Sequence, residues 1–399
     1  MKISMLSTGE EVLHGDIVDT NASWLGEQFF QHGLGLSYRA TVGDQLDSLV
    51  NEITTLSLRS DVIIVNGGLG PTSDDMSAQA MADAAGVYLE LNQAWVEKME
   101  AYFSQSNRPM AQSNLKQAML PKGAEVIDNP VGTACGFSMR LNDALIMFTP
   151  GVPFEFKRMV KEEILPLLHK LYPEVEQQVC HKIYTFGLGE SGIADLLQSI
   201  QLPKGFSLGY RSYMPFIEVK VFSPRDHEQI ESIMFQINET LSAYVVGINQ
   251  PLIEVVGEAL SDNQWQLSLM EQATGGELAR TLYQSEKAQQ YFQQSIIDNQ
   301  VEPLSDLEDG VIIATEYRID TQADVSLASF KLKDGSYALV LVTCQNCFAQ
   351  QVVFKRKYPL KSQQVLLSTM LFDMLRRHAK HEVVFGEFAQ CERVGLVEL

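Results

Sequence analysis

Two adjacent carboxylates, Asp74 and Asp75, follow three closely spaced glycines, Gly67, Gly68 and Gly70, in the stretch VIIVNGGLGPTSDD at residues 62–75. Its apolar, β-branched start reads as a buried parallel strand. The glycines let the backbone turn sharply and approach a ligand with no Cβ in the way. The acids fall at the start of an expected helix running to about Ala85, with Gly86 as its stop. Free N–H groups in such a turn, together with the helix dipole, favour a phosphate. Two carboxylates beside a phosphate would repel it unless a divalent cation sits between them. The stretch therefore points to a phosphorylated ligand and a metal. The plainer alternative is a tight turn in which Asp74 or Asp75 caps the helix.

Acids recur behind other expected strands. Lys2–Ser7 is followed by Thr8-Gly9-Glu10-Glu11, Leu36–Thr41 by Val42-Gly43-Asp44, and Ala144–Phe148 by a loop ending in Glu155. Ligands of open parallel sheets bind at the carboxyl ends of the strands. Glu10, Asp44, Asp74, Asp75 and Glu155 are thus expected to converge as the catalytic acids, with Asp44, Asp74 and Asp75 as metal ligands. A divalent ion held there would bind a diphosphate and lower the pKa of an attacking water. Gly67, Gly68 and Gly70 are expected to donate backbone N–H groups. Thr72 and Thr133 would add hydroxyl contacts, and Lys116 or Lys157 would meet an outer phosphate. Asn21 is either a helix cap or a phosphate contact. The turn Asn129–Ala134, with Gly132 in it, is either a further phosphate-facing segment or a plain connection.

The 399 residues exceed what one core usually serves, and a net charge of −20 argues against nucleic acid as a partner. Five scattered cysteines suggest no disulfide framework and fit a reduced, cytoplasmic compartment. Cys344-Gln-Asn-Cys347 lacks the second pair a zinc site needs. No leader is expected, and no apolar run has membrane-spanning length.

Alternating strands and helices predict a doubly wound α/β domain over residues 1–171. A small α+β module follows over 172–250 and a third, α/β unit over 251–399. In the third unit, strands are expected at Gln266–Met270, Val311–Ala314, Ala338–Thr343 and Gln351–Phe354, and a long helix at Gln363–His378.

The segments TGE at 8–10, GDIVDTN at 15–21, VGD at 42–44, GGLGPTSDD at 67–75 and PGVPFE at 150–155 resemble the CinA family of competence/damage-inducible proteins. Gly187-Leu188-Gly189-Glu190-Ser191 resembles the family's middle module. The first domain of that family is similar to the MoaB/Mog molybdopterin-binding fold, whose Gly-Gly-Thr-Gly turn matches Gly67–Gly70 with Leu69 in third place. The resemblance implies a pyrophosphatase acting on ADP-ribose, using cobalt or magnesium with potassium, in a homodimer. The third unit resembles the family's nicotinamide mononucleotide deamidase domain, with its Glu-Ser-Cys-Thr-Gly-Gly motif. Here the stretch reads Glu271-Gln272-Ala273-Thr274-Gly275-Gly276. Gln272 stands where the nucleophilic Ser belongs, and an amide cannot accept an acyl group in that way. The family's Tyr-Ser-Asn-Glu-Ala-Lys, which supplies the activating Lys, has no counterpart. A deamidase-like domain without its chemistry is expected. Two other readings compete: a first domain that binds a pterin or nucleotide without turnover, and a third unit that still deamidates nicotinamide mononucleotide.

Overall fold

The computed structural model describes residues 1–105, 109–298 and 302–399. Two compact units are present, Met1–Gln178 and Val179–Leu399.

The first unit is built on a six-stranded sheet. The strand order is Leu36–Val42, Ile3–Thr8, Val62–Asn66, Ala144–Thr149, Gly136–Leu141, Glu125–Ile127. The first four strands run parallel and the last two pair antiparallel. Every residue of Val62–Asn66 is buried, because both faces of the sheet are covered. Ile63 and Val65 pack with Leu49, Ile53, Met81 and Trp95, while Val62 and Ile64 pack with Leu25, Phe29, Phe156 and Leu168. Register brings the strand ends level: Ser7 lies opposite Asn66, and Asn66 opposite Thr149. The loops after these three parallel strands therefore leave the sheet at one edge. This is the doubly wound α/β arrangement expected for the first region.

In the second unit a four-stranded sheet has the order Ser207–Tyr213, Phe216–Pro224, Gln178–Thr185, Val245–Ile248. A six-stranded mixed sheet has the order Phe292–Ile297, Leu267–Glu271, Val325–Lys331, Tyr337–Thr343, Cys347–Phe354, Cys391–Glu398. The two layers share one core, in which Phe186 and Val246 of the smaller join Leu371, Leu375 and Phe388 of the larger. Hydrogen bonds cross the same seam: Arg377 Nη2 donates to the Ala243 carbonyl and Ala389 N to the Gly187 carbonyl, each at 2.7 Å.

Val311–Ala314 is not a strand. It lies within the helix Leu307–Thr321, which Asp306 caps by accepting from Asp309 N. Leu307, Gly310, Val311 and Ala314 are its buried residues, a helical period, while Ile312 and Ile319 face outward. Among the described residues, no helix is long and apolar enough to cross a membrane.

Candidate functional site

The three level strand ends are tied together below the surface. Asn66 Nδ2 donates to the Pro150 carbonyl at 2.7 Å and to Thr149 Oγ1 at 3.2 Å. Ser77, at the start of the helix Ser77–Ala85, donates its hydroxyl to the Gly67 carbonyl at 2.8 Å. Its N–H reaches the Gly68 carbonyl at 3.0 Å. The glycine turn is thus fixed from both sides. Gly67 and Gly68 have φ of 109° and 69°, a region that favours glycine.

Above this base lies a cavity of about 400 Å³. Asp44, Asp74, Asp75 and Glu155 all line it, with Gly67, Gly68, Gly70 and Thr133. Acids from three separate strand-end loops therefore meet there. A second, more apolar cavity of about 290 Å³ adjoins it, lined by Leu46, Met76, Leu89, Met119 and Leu120. The two share Gly68, Leu69, Gly70, Asp75 and Gln117.

The electrostatics of the acids differ. Asp44 is pushed above the ordinary aspartate range, chiefly by burial. The Glu10 N–H, 3.1 Å from its Oδ2, opposes this, while the negative charges of Glu11, Asp74 and Glu10 add to it. Asp74 is held below that range by the Thr72 hydroxyl, its own N–H and the charge of Lys116. Asp75 accepts from Thr72 twice, from N at 2.8 Å and from Oγ1 at 2.5 Å. Glu155 accepts from Asn129 Nδ2 at 2.7 Å.

Several expected contacts are placed otherwise. Glu10 turns away from the cavity, toward His14 Nε2 at 3.4 Å and against Gly43, and Glu11 lines the cavity in its stead. Neither Asp74 nor Asp75 caps the following helix: its N-cap is Met76, without a side-chain bond. Asp44 does not cap its helix either, where Gln45 is the N-cap. Asn21 is buried and joins Asn66 to Gly151 instead of lining the cavity, and the cap of its helix is Asp19. Thr72 has its hydroxyl engaged by Asp75. Lys116 donates to the Thr72 carbonyl and lines the apolar cavity. Lys157 sits over the Trp24 ring at 5.7 Å, outside both linings. Gly132 makes room for the Asn129–Glu155 pair, since a Cβ there would lie 2.2 Å from Glu155 Oε2. The N–H of Gly67 is used by the Thr149 carbonyl at 2.9 Å, whereas those of Gly68 and Gly70 have no partner among the described residues. Among the described residues, no three His, Cys, Asp or Glu side chains sit close enough to hold a metal ion by themselves. Asp44, Asp74 and Asp75 line one cavity without forming a closed cage.

Thr8, Glu11 and Gln117 also belong to the lining; Thr8 and Glu11 stand in the strand-end turn already marked by its acids, whereas Gln117 carries no mark in the sequence pattern. Thr8 is buried, and its Oγ1 has no hydrogen-bond partner among the described residues. Only its place beside Gly9, at the end of a strand, could have marked it.

In the second unit Gln272 is buried, and its Oε1 accepts from Lys331 N at 2.8 Å. Neighbouring Glu271 accepts from the N–H groups of Gly276, Leu278 and Ala279 at 2.9, 3.0 and 2.9 Å. Thr274 Oγ1 adds a further donor at 2.8 Å.

A protein of Escherichia coli O9:H4 (strain HS), described as CinA-like protein, is 43% identical over 402 residues, covering 100% of this chain and 99% of its own length. The chain belongs to the CinA-like family. A relative of this CinA-like chain in Escherichia coli (strain K12), described as NMN amidohydrolase-like protein YfaY, matches with the same 43% identity, 100% of this chain and 99% of its own length. Residues 4–170 match the family described as probable molybdopterin binding domain. Among solved structures, CinA of unknown function from Thermoplasma acidophilum is 30% identical with a TM-score of 0.39, covering 41% of this chain and 97% of its own. The molybdopterin biosynthesis enzyme MoaB from Thermus thermophilus is 16% identical with a TM-score of 0.30, covering 43% of this chain and 92% of its own. The family expected from the motifs thus extends over the full chain.

Proposed function

We propose that the first unit is a metal-dependent pyrophosphatase acting on ADP-ribose. The observation that carries this is the meeting of Asp44, Asp74, Asp75 and Glu155 around one cavity, beside N–H groups of Gly68 and Gly70 that have no partner among the described residues. The adjoining apolar cavity favours a diphosphate with an attached nucleoside over inorganic pyrophosphate.

The donor set suits a hard divalent cation, since it offers oxygen alone. Magnesium commonly takes one or two carboxylates and completes its shell with water and substrate phosphate, so an open set fits better than a closed cage. Asp44 and Asp74 would hold it. When bound, such an ion supplies Lewis-acid polarisation and offsets phosphate charge.

The chain's own groups do the rest. Gly68 and Gly70 orient the phosphate oxygens. Asp75, locked by Thr72, keeps the glycine turn in shape. Glu155, with one oxygen fixed by Asn129, accepts the proton of the attacking water. Water adds to one phosphorus, the bridging P–O bond breaks, and AMP and ribose 5-phosphate leave.

The test is AMP release from ADP-ribose by the full chain with cobalt or magnesium, with potassium present. Absence of release with either ion sinks the reading. Glu155→Gln separates turnover from binding: activity should vanish while nucleotide affinity is kept. For the second unit we infer that amidase chemistry is gone, supported by Gln272, whose amide is tied to the Lys331 backbone.

A further inference from the structure

The acid-lined cavity of the first unit has different surroundings on the two faces of its sheet. On one face it adjoins the apolar cavity of Leu46, Met76 and Leu120, which belong to the layer of Leu49, Ile53 and Met81. The opposite layer, with Leu25, Phe29 and Phe156, is built by the helices Thr20–Gln31 and Pro153–Met159.

Those two helices start side by side. Asn21 donates to the Gly151 carbonyl at 2.8 Å, and Trp24 meets Phe156 edge-on with ring centroids 5.9 Å apart. The segments entering them carry Ile17 and Val18 on one and Val152 and Phe154 on the other, all four exposed. Val152 and Glu155 line the acid-lined cavity, and Phe154, 68% exposed, stands between them in sequence. A single apolar residue in water is ordinary, but four on two linked segments at the mouth of one site form a patch that calls for an occupant.

The position of the patch selects that occupant, on the pyrophosphatase reading given above. A diphosphate held by the N–H groups of Gly68 and Gly70 has two ends. A nucleoside at one end takes the apolar cavity. The other end crosses the edge of the sheet toward Val152 and Phe154. A bare sugar, as in ADP-ribose, would cover little of this apolar surface. A nucleobase brings a flat ring that stacks on an aromatic side chain.

We propose that the substrate class of this site includes dinucleotides, two nucleosides joined through a diphosphate, with the second base on Phe154. Hydrolysis adds one water across the bridge and yields two nucleoside monophosphates. Titration calorimetry on the full chain with magnesium tests this with two analogues whose bridging oxygen is a methylene, so that neither is cleaved there. One is α,β-methylene ADP, with one nucleoside, and the other is methylene-bridged di(adenosine) diphosphate, with two. The two-ended analogue should bind roughly tenfold tighter or better, the scale of one base stacked on an aromatic ring. Phe154→Ser should remove that gain and leave the one-ended analogue unchanged, and Phe154→Tyr should keep it. Equal binding of the two analogues by the parent, or a gain that survives in Phe154→Ser, would overturn the proposal and leave the pyrophosphatase reading standing. Binding of neither analogue would overturn both. A smaller mass of Phe154→Ser in analytical ultracentrifugation would place a second copy of the chain on the patch and overturn the proposal as well.

Discussion

The side-chain nitrogen of Asn21 donates to Asn66 Oδ1 at 3.0 Å and to the Gly151 carbonyl at 2.8 Å. One amide thus holds the start of the helix Thr20–Gln31, the end of the central strand and the loop leading to Glu155 in a fixed relation. Asn66→Ala would take one contact from Thr149 Oγ1 and one from Asn21, which keep the Val65 and Gly151 carbonyls, and would remove the donor to the Pro150 carbonyl. A buried group left without its partner costs about 1–3 kcal/mol. Urea unfolding should show a loss of at least about 2 kcal/mol, and kcat/KM for ADP-ribose should fall with it.

Gly70 is a close-approach position. A Cβ there would lie 2.4 Å from Asp75 Oδ2. Gly70→Ala should push Asp75 off Thr72 and lower turnover by roughly tenfold or more, as for a misplaced catalytic group. The melting temperature should move little, because the loop is exposed around Thr72. Unchanged turnover in a steady-state assay would separate this contact from catalysis.

Asp44 gives a pH signature. Its carboxyl is raised by burial and by neighbouring acids. An acid whose folded pKa exceeds its unfolded one binds protons better when folded. It therefore costs stability as pH rises past the unfolded value, and the full cost is reached above the folded value. Without divalent ions, Asp44→Asn should melt higher than the parent at neutral pH. The gap should close near about pH 3, where Asp44 is protonated in both states. With cobalt or magnesium added, the order should reverse if Asp44 holds the ion.

In the second unit Glu271 is 1% exposed and accepts from three backbone N–H groups. Glu271→Gln replaces an acceptor oxygen with a donor amide facing those donors. Unfolding free energy should drop by about 3 kcal/mol, the scale of a broken buried charged network. Gln272→Ser, by contrast, should fold and still release no ammonia from nicotinamide mononucleotide. Ammonia release by the parent chain would overturn the inferred loss of amidase chemistry.

The glycine turn is legible because its signal is local: a β-branched run, three glycines and two acids state strand, turn and cradle in one short stretch. Convergence of Asp44, Asp74, Asp75 and Glu155 follows from parallel strands ending at one edge. Side-chain direction is not legible. Glu10 and Glu11 are neighbours in a short helix, Glu10–Leu13, and composition does not say which one turns inward. Asn21 and Lys157 have the chemistry of phosphate contacts, yet one is consumed by a buried amide pair and the other rests on Trp24. Val311–Ala314 reads as a strand because a short run of apolar letters outweighs the longer period from Leu307 to Ala314 and the cap at Asp306.

The shared core of Phe186, Val246 and Phe388 has a practical outcome. A fragment started at Pro251 would present an oily flank where the small layer had been, and would lose the Ala243 and Gly187 carbonyls that receive Arg377 and Ala389. Such a truncation should clump, and its silence in an assay would speak of a torn molecule.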